Sequence, residues 1–148
     1  MKALWTILAG VALSMPLAAK TVEKPAENQV PVTLTEVTNG AGVTIVVLQA
    51  QAALARVCWN SSGPNSPYLI ANGQRYRFVA GEGISFCPDR RDYALGDLMR
   101  LRFQPLPSGA TEFSLVEGEG GENQMADPVG STTATRTRYW NFLHVKLR

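Results

Sequence analysis

Apolar and polar residues alternate with a period of two along much of this chain, and no stretch carries the i, i+3, i+4 spacing of an amphipathic helix. Val30–Val37 sets Val32 and Leu34 against Thr33 and Thr35, and a turn over Thr38-Asn39-Gly40-Ala41-Gly42 leads into the β-branched run Val43–Leu48. Ala52–Trp59 is richer in alanine, yet Val57-Cys58-Trp59 followed by the turn-forming Asn60–Pro67 predicts a strand ending there. Tyr68–Ala71 and Gln74–Val79 flank Asn72-Gly73, a dipeptide suited to the positive φ that a two-residue hairpin demands. Gly83–Phe86 predicts a short strand, Leu98–Phe103 a half-exposed one with Arg100 and Arg102 on one face, and Glu112–Glu117 one with Phe113 and Leu115 in phase. In Arg138–Leu147, alternation assigns Leu143, Val145 and Leu147 to one face and Trp140, Phe142, His144 and Lys146 to the other.

Short strands at this spacing predict an all-β antiparallel sandwich or barrel. The expectation for residues 30–148 is a single β-sandwich domain of about 7–9 strands, immunoglobulin-like in outline. The Cys-Trp-Cys arrangement of antibody domains is missing, since Trp59 adjoins Cys58.

Two segments depart from the strand pattern. Met1-Lys2, the apolar run Ala3–Leu13 and the small-residue end Ser14-Met15-Pro16-Leu17-Ala18-Ala19 have the form of a secretory signal peptide, with cleavage expected after Ala19. The run is too short, and broken too soon by Pro16, for a membrane span, and no later segment could provide one. Residues 20–29 read as a flexible polar lead-in. Gly118–Thr135 is rich in Gly, Glu, Asp, Ser and Thr and reads as a long surface loop.

Export changes the meaning of the cysteines. The chain has 148 residues and two cysteines, Cys58 and Cys87, which in an oxidising compartment pair as one disulfide. Closing a loop of about 30 residues stabilises a fold by roughly 3–4 kcal/mol through the unfolded state. Composition also narrows the chemistry. With 14 Lys+Arg against 12 Asp+Glu, the basic surplus is too small to imply a polyanionic partner, and no nucleic acid is expected. One histidine and no free cysteine beyond the pair argue against most zinc sites and against a resident cofactor.

The second half carries Leu101-x-Phe103-x-Pro105-Leu106-Pro107, then Phe113-x-Leu115-x-Glu117-Gly118, then Trp140-Asn141-Phe142-x-x-Val145-x-Leu147. This resembles an uncharacterised class of bacterial exported β-rich domains, in which an F-x-L-x-E-G strand is followed by a loop and a closing W-N-F strand. The resemblance covers roughly Tyr68 to Leu147 and implies an extracytoplasmic β-sandwich module, with no activity to transfer. The long acidic loop and the disulfide depart from it.

Candidate chemistry is sparse. His144 is the one imidazole, but no G-x-S-x-G elbow supplies a serine nucleophile, and no acid stands in an evidently apolar context that would raise its pKa. Glu117, Glu119, Glu122 and Asp127 could offer oxygen ligands to calcium, though at no EF-hand spacing. Asn60-Ser61-Ser62 matches a glycosylation acceptor but is discounted for a bacterial product. Two clusters suit partner contact better than catalysis. Arg136, Arg138, Tyr139 and Trp140 gather residue types that dominate interfaces, and Asp89-Arg90-Arg91-Asp92 forms a charged turn next to Cys87. The expected function is therefore an exported binding or accessory module for a protein or envelope component. The alternatives are an inhibitor of an exogenous protease or lysozyme, and a glycan-binding or hydrolysing protein.

Overall fold

The computed structural model describes residues 31–40, 42–117 and 140–148, together with residues 22, 26 and 27. The expected signal peptide, most of the lead-in and the Gly118–Thr135 loop lie outside these. Ten strands follow one another in the order β1 (Ala26–Glu27), β2 (Val32–Gly40), β3 (Val43–Ala50), β4 (Leu54–Val57), β5 (Pro67–Ala71), β6 (Gln74–Glu82), β7 (Arg91–Tyr93), β8 (Leu98–Phe103), β9 (Glu112–Glu117) and β10 (Phe142–Lys146). Among the described residues there is no helix.

Eight strands form one antiparallel sheet in the order β1-β2-β3-β8-β6-β5-β9-β10, and β4 pairs with β7 as a separate two-stranded ribbon. An antiparallel bridge between Val22 and Leu147 brings the two edges of the large sheet together. The all-β, antiparallel, disulfide-linked class is as expected. Pairing runs unbroken through all eight strands, however, which is nearer to a barrel than to the two separately bonded layers of a sandwich.

Closure follows from where the chain breaks strict alternation. Register shifts fall between Leu34 and Glu36 on β2, between Phe78 and Ala80 on β6, and between Phe142 and Val145 on β10. An extra residue at each bends its strand and increases its twist, which curls the sheet. The interior is filled by Leu34 and Val37 from β2, Leu48 from β3, Leu101 and Phe103 from β8, Leu69 from β5, Phe113 and Leu115 from β9 and Phe142 from β10.

The β10 bulge corrects the expected faces of the last strand. His144 takes φ 54°, so Phe142 and Val145 both point inward while His144 is exposed. Trp140 belongs to the same buried set. Alternation placed Phe142 and Trp140 opposite Val145 and Leu147, and the added residue puts all four on the core.

Asn39 was expected in a turn. It instead closes β2 with its side chain buried. Asn39 Nδ2 donates to the Leu106 carbonyl at 3.0 Å, Thr44 Oγ1 donates to Asn39 Oδ1 at 2.7 Å, and the Leu106 N–H donates to Thr44 Oγ1 at 2.8 Å. This closed set ties the segment after β8 to the β2–β3 hairpin. The predicted Gly83–Phe86 strand is reduced to a parallel bridge between Phe86 and Trp59. Gly83 starts that stretch with φ +69°, and a Cβ there would sit 2.5 Å from the Leu98 carbonyl oxygen.

Candidate functional site

The antiparallel register gathers the C-terminal ends of β3, β6 and β9 and the N-terminal ends of β5, β8 and β10 at one end of the barrel. The β4–β7 ribbon is attached there, because β4 follows β3 and β7 precedes β8. Cys58 and Cys87 form the expected disulfide just beyond the ribbon, with Cα atoms 5.0 Å apart. Between them and the core stands Trp59. Its N–H donates to the Ser85 carbonyl at 2.8 Å and its carbonyl accepts from the Cys87 N–H at 2.9 Å. The ring is 1 % exposed and meets Trp140 edge to face at a centroid distance of 5.2 Å, a geometry that adds to simple burial. The indole Nε1 of Trp59 is buried without a hydrogen-bond partner.

The ribbon has an inner and an outer side. Leu54 and Val57 pack against the core and Tyr93 is buried within it, while Arg56, Asp89, Arg90, Arg91 and Asp92 are exposed. Side chains pin its backbone. Arg56 takes φ 58°, and its N–H donates to Asp92 Oδ1 at 2.8 Å. Arg90 Nη1 donates to the Arg56 carbonyl at 3.3 Å, and the Arg91 guanidinium lies 5.1 Å from the Tyr93 ring centroid. Burial raises the Tyr93 phenol pKa, with Arg91 opposing the rise. Three arginines and two aspartates thus stand on or beside a short two-stranded ribbon, its strands distant in sequence, whose shape is set by its own hydrogen bonds and by the disulfide.

Of the residues expected to contact a partner, Asp89, Arg90, Arg91 and Asp92 are presented to solvent together. Trp140 is not: it is a core residue, buried against Trp59 and continuous with Phe142. Arg136, Arg138 and Tyr139 lie outside the described residues, as does most of the acidic run considered for calcium. No group of three or more His, Cys, Asp and Glu among the described residues is placed to hold a metal ion.

Glu117 was missed. It closes β9 in phase with Phe113 and Leu115, so its side chain is turned toward the barrel end where Trp140 lies. Oε2 accepts the Trp140 N–H at 2.8 Å, and the Glu117 N–H donates to Asn141 Oδ1, also at 2.8 Å. Burial drives its pKa from the ordinary 4.5 to about 7, against the hydrogen bond from Trp140 that favours the charged form. No acid was expected in such a setting. The signal was present in the period-two phase of Phe113-Ser114-Leu115-Val116-Glu117, which extends the apolar face onto the carboxylate.

At the opposite end, His144 Nδ1 meets Glu112 Oε1 at 2.8 Å and Lys146 Nζ is paired with Glu112 Oε2. Hydrogen bonds from Lys146 and His144 hold the Glu112 carboxyl below its ordinary range. Ser114 Oγ accepts the backbone N–H of His144 at 3.0 Å.

No helix among the described residues is long and apolar enough to cross a membrane. Comparison with family models, with curated proteins and with solved structures yields no match.

Proposed function

We propose that the chain is an exported binding module of the cell envelope that engages a protein partner through the disulfide-tethered ribbon. The observation that carries this reading is the pinned ribbon: Arg56, Asp89, Arg90, Arg91 and Asp92 stand exposed on a backbone fixed by Asp92 Oδ1, by Arg90 Nη1 and by the Cys58–Cys87 bridge. A surface already held in one shape loses little conformational entropy on association, and arginines on such a surface are effective anchors. Export is supported by the signal-like residues 1–19 and by the disulfide, which persists in oxidising compartments.

Affinity capture from an envelope extract tests the proposal. The wild-type chain is expected to retain a protein that Arg90→Ala/Arg91→Ala loses, and non-reducing mass spectrometry of the exported chain is expected to find it cleaved after Ala19 with no free thiol. Equal recovery by both baits, or no specific protein on either, overturns the binding reading. Two free thiols or an intact residue 1–19 segment overturns the export reading.

A further inference from the structure

Composition disfavours a polyanionic partner because the net charge is only +2, but net charge says nothing about where the charges stand. On β6, Tyr76 and Phe78 pack against the core, which turns Arg75 and Arg77 outward, and both are exposed. On β8, Met99, Leu101 and Phe103 are buried, which turns Arg100 and Arg102 to the same outer face. The two strands are neighbours. Ala80 pairs with Arg102 and Glu82 with Arg100, while the Gln104 N–H donates to the Arg77 carbonyl at 2.9 Å. The four arginines therefore share the outer face in the order Arg75, Arg77, Arg102, Arg100, the first two on the half of β6 before its bulge and the last two on β8 beside the half after it. At about 3.3 Å per residue and 4.8 Å between strands, successive members are roughly 7–8 Å apart and the row is about 20 Å long.

Glu82, paired with Arg102, is the one acid on these two strands, so the row keeps a marked local excess of positive charge. The Arg75 guanidinium lies over the Tyr68 ring, 4.5 Å from its centroid, which orients the first member. Other acids among the described strands and ribbon stand elsewhere: Glu36 on β2, Asp89 and Asp92 at the ribbon, and Glu112 and Glu117 on β9.

We infer that this outer face of β6 and β8 is a docking surface for an acidic polysaccharide, a linear chain bearing carboxylates at regular intervals. A guanidinium matches a carboxylate with two parallel hydrogen bonds, and a row of them matches a linear array of carboxylates better than a single pocket would. The face lacks what other anionic partners require. A single-stranded nucleic acid needs open aromatic platforms, whereas the rings of Tyr76, Phe78 and Phe103 pack against the core and that of Tyr68 is buried under Arg75. A protein interface needs an apolar anchor in a pocket, and a membrane surface needs several apolar side chains to insert. The exposed large apolar residues on these two strands are Val79, on β6, and the less exposed Leu98, where β8 begins, too few for a membrane surface.

The test is equilibrium binding of the full chain to polygalacturonate at low and moderate salt, with neutral dextran, phosphatidylglycerol–phosphatidylcholine vesicles and oligothymidylate in parallel. Wild-type protein is expected to bind polygalacturonate but not dextran, and to weaken as salt screens the charges. Arg100→Glu should weaken binding by about tenfold or more, as expected when attraction becomes repulsion at close range. Glu82→Gln should tighten it, an effect that damage to the fold would not produce. Lys146→Glu, the same charge change on β10, should leave it within about twofold if local charge governs the site. Absence of polygalacturonate binding, equal losses for Arg100→Glu and Lys146→Glu, or tighter binding to vesicles or oligothymidylate would each overturn the inference. None of these outcomes depends on the ribbon or its protein partner.

Discussion

Glu117 shows how one side chain couples the fold to pH. Its carboxyl is protonated in folded and unfolded chains alike below about pH 4.5, so it is neutral in the balance there. As pH rises toward 7 the unfolded chain ionises freely, whereas the folded chain must hold a charge against burial, with its pKa raised to about 7. Stability is therefore lost between these values, about 3 kcal/mol once both states are ionised. Glu117→Gln keeps an oxygen for the Trp140 N–H and removes the titration. Urea unfolding at pH 5 and pH 8 should show wild type losing stability over this range and the variant losing much less, leaving the variant the more stable at pH 8. The buried Thr44 hydroxyl makes the opposite case. It is donor to Asn39 and acceptor for Leu106 in one closed set, so Thr44→Val leaves two polar groups unpaired and should cost about 1–3 kcal/mol, independent of pH, by the same measurement.

At the level of elements, legibility follows whether the period of two is kept. Leu98–Phe103 alternates in burial throughout and Glu112–Glu117 departs from alternation only at Val116, and β8 and β9 occupy those bounds. Asn72-Gly73 was readable for a local reason: the turn requires positive φ, and these residues adopt 50° and 73°. Gly73→Ala forces an L side chain into that region and should destabilise the β5–β6 hairpin by about 1 kcal/mol, a loss that a thermal melt would detect. The strands that bend were less legible. Nothing in Phe142-Leu143-His144-Val145 announces that His144 will take a left-handed conformation, because the bulge is imposed by the curvature of the closing sheet. The same blindness extended to the site. The Asp89–Asp92 segment was noticed because it is charged and adjoins a cysteine, although Arg91 and Asp92 lie in β7 and not in the expected turn, whereas Arg56 entered the ribbon only through pairing with β7, a contact remote in sequence. Arg100 and Arg102 were recognised as the polar side of a strand, but their alignment with Arg75 and Arg77 needed the β6–β8 register.

Across the whole molecule, the disulfide and the tryptophan pair decide whether the ribbon is an appendage or part of the cooperative fold. If the ribbon could detach, cutting the Cys58–Cys87 bridge would loosen only β4 and β7 and leave the barrel intact. Trp59 argues otherwise. It follows Cys58 directly, bridges to the Ser85–Cys87 segment through two main-chain hydrogen bonds, and packs edge to face on Trp140, which in turn hydrogen-bonds Glu117 at the end of β9. Releasing the ribbon would withdraw a fully buried tryptophan from the barrel end, at a cost comparable to emptying a large core site, about 3–5 kcal/mol. That exceeds what a local opening can bear in a domain of marginal stability. Cys58→Ala/Cys87→Ala should therefore lower global stability by roughly 3–4 kcal/mol while keeping one transition. Tryptophan fluorescence and far-ultraviolet circular dichroism should report the same urea midpoint in the variant. A fluorescence change at lower urea than the loss of β signal would instead mean that the ribbon opens alone, and that the binding surface it carries is held by the bridge rather than by the core.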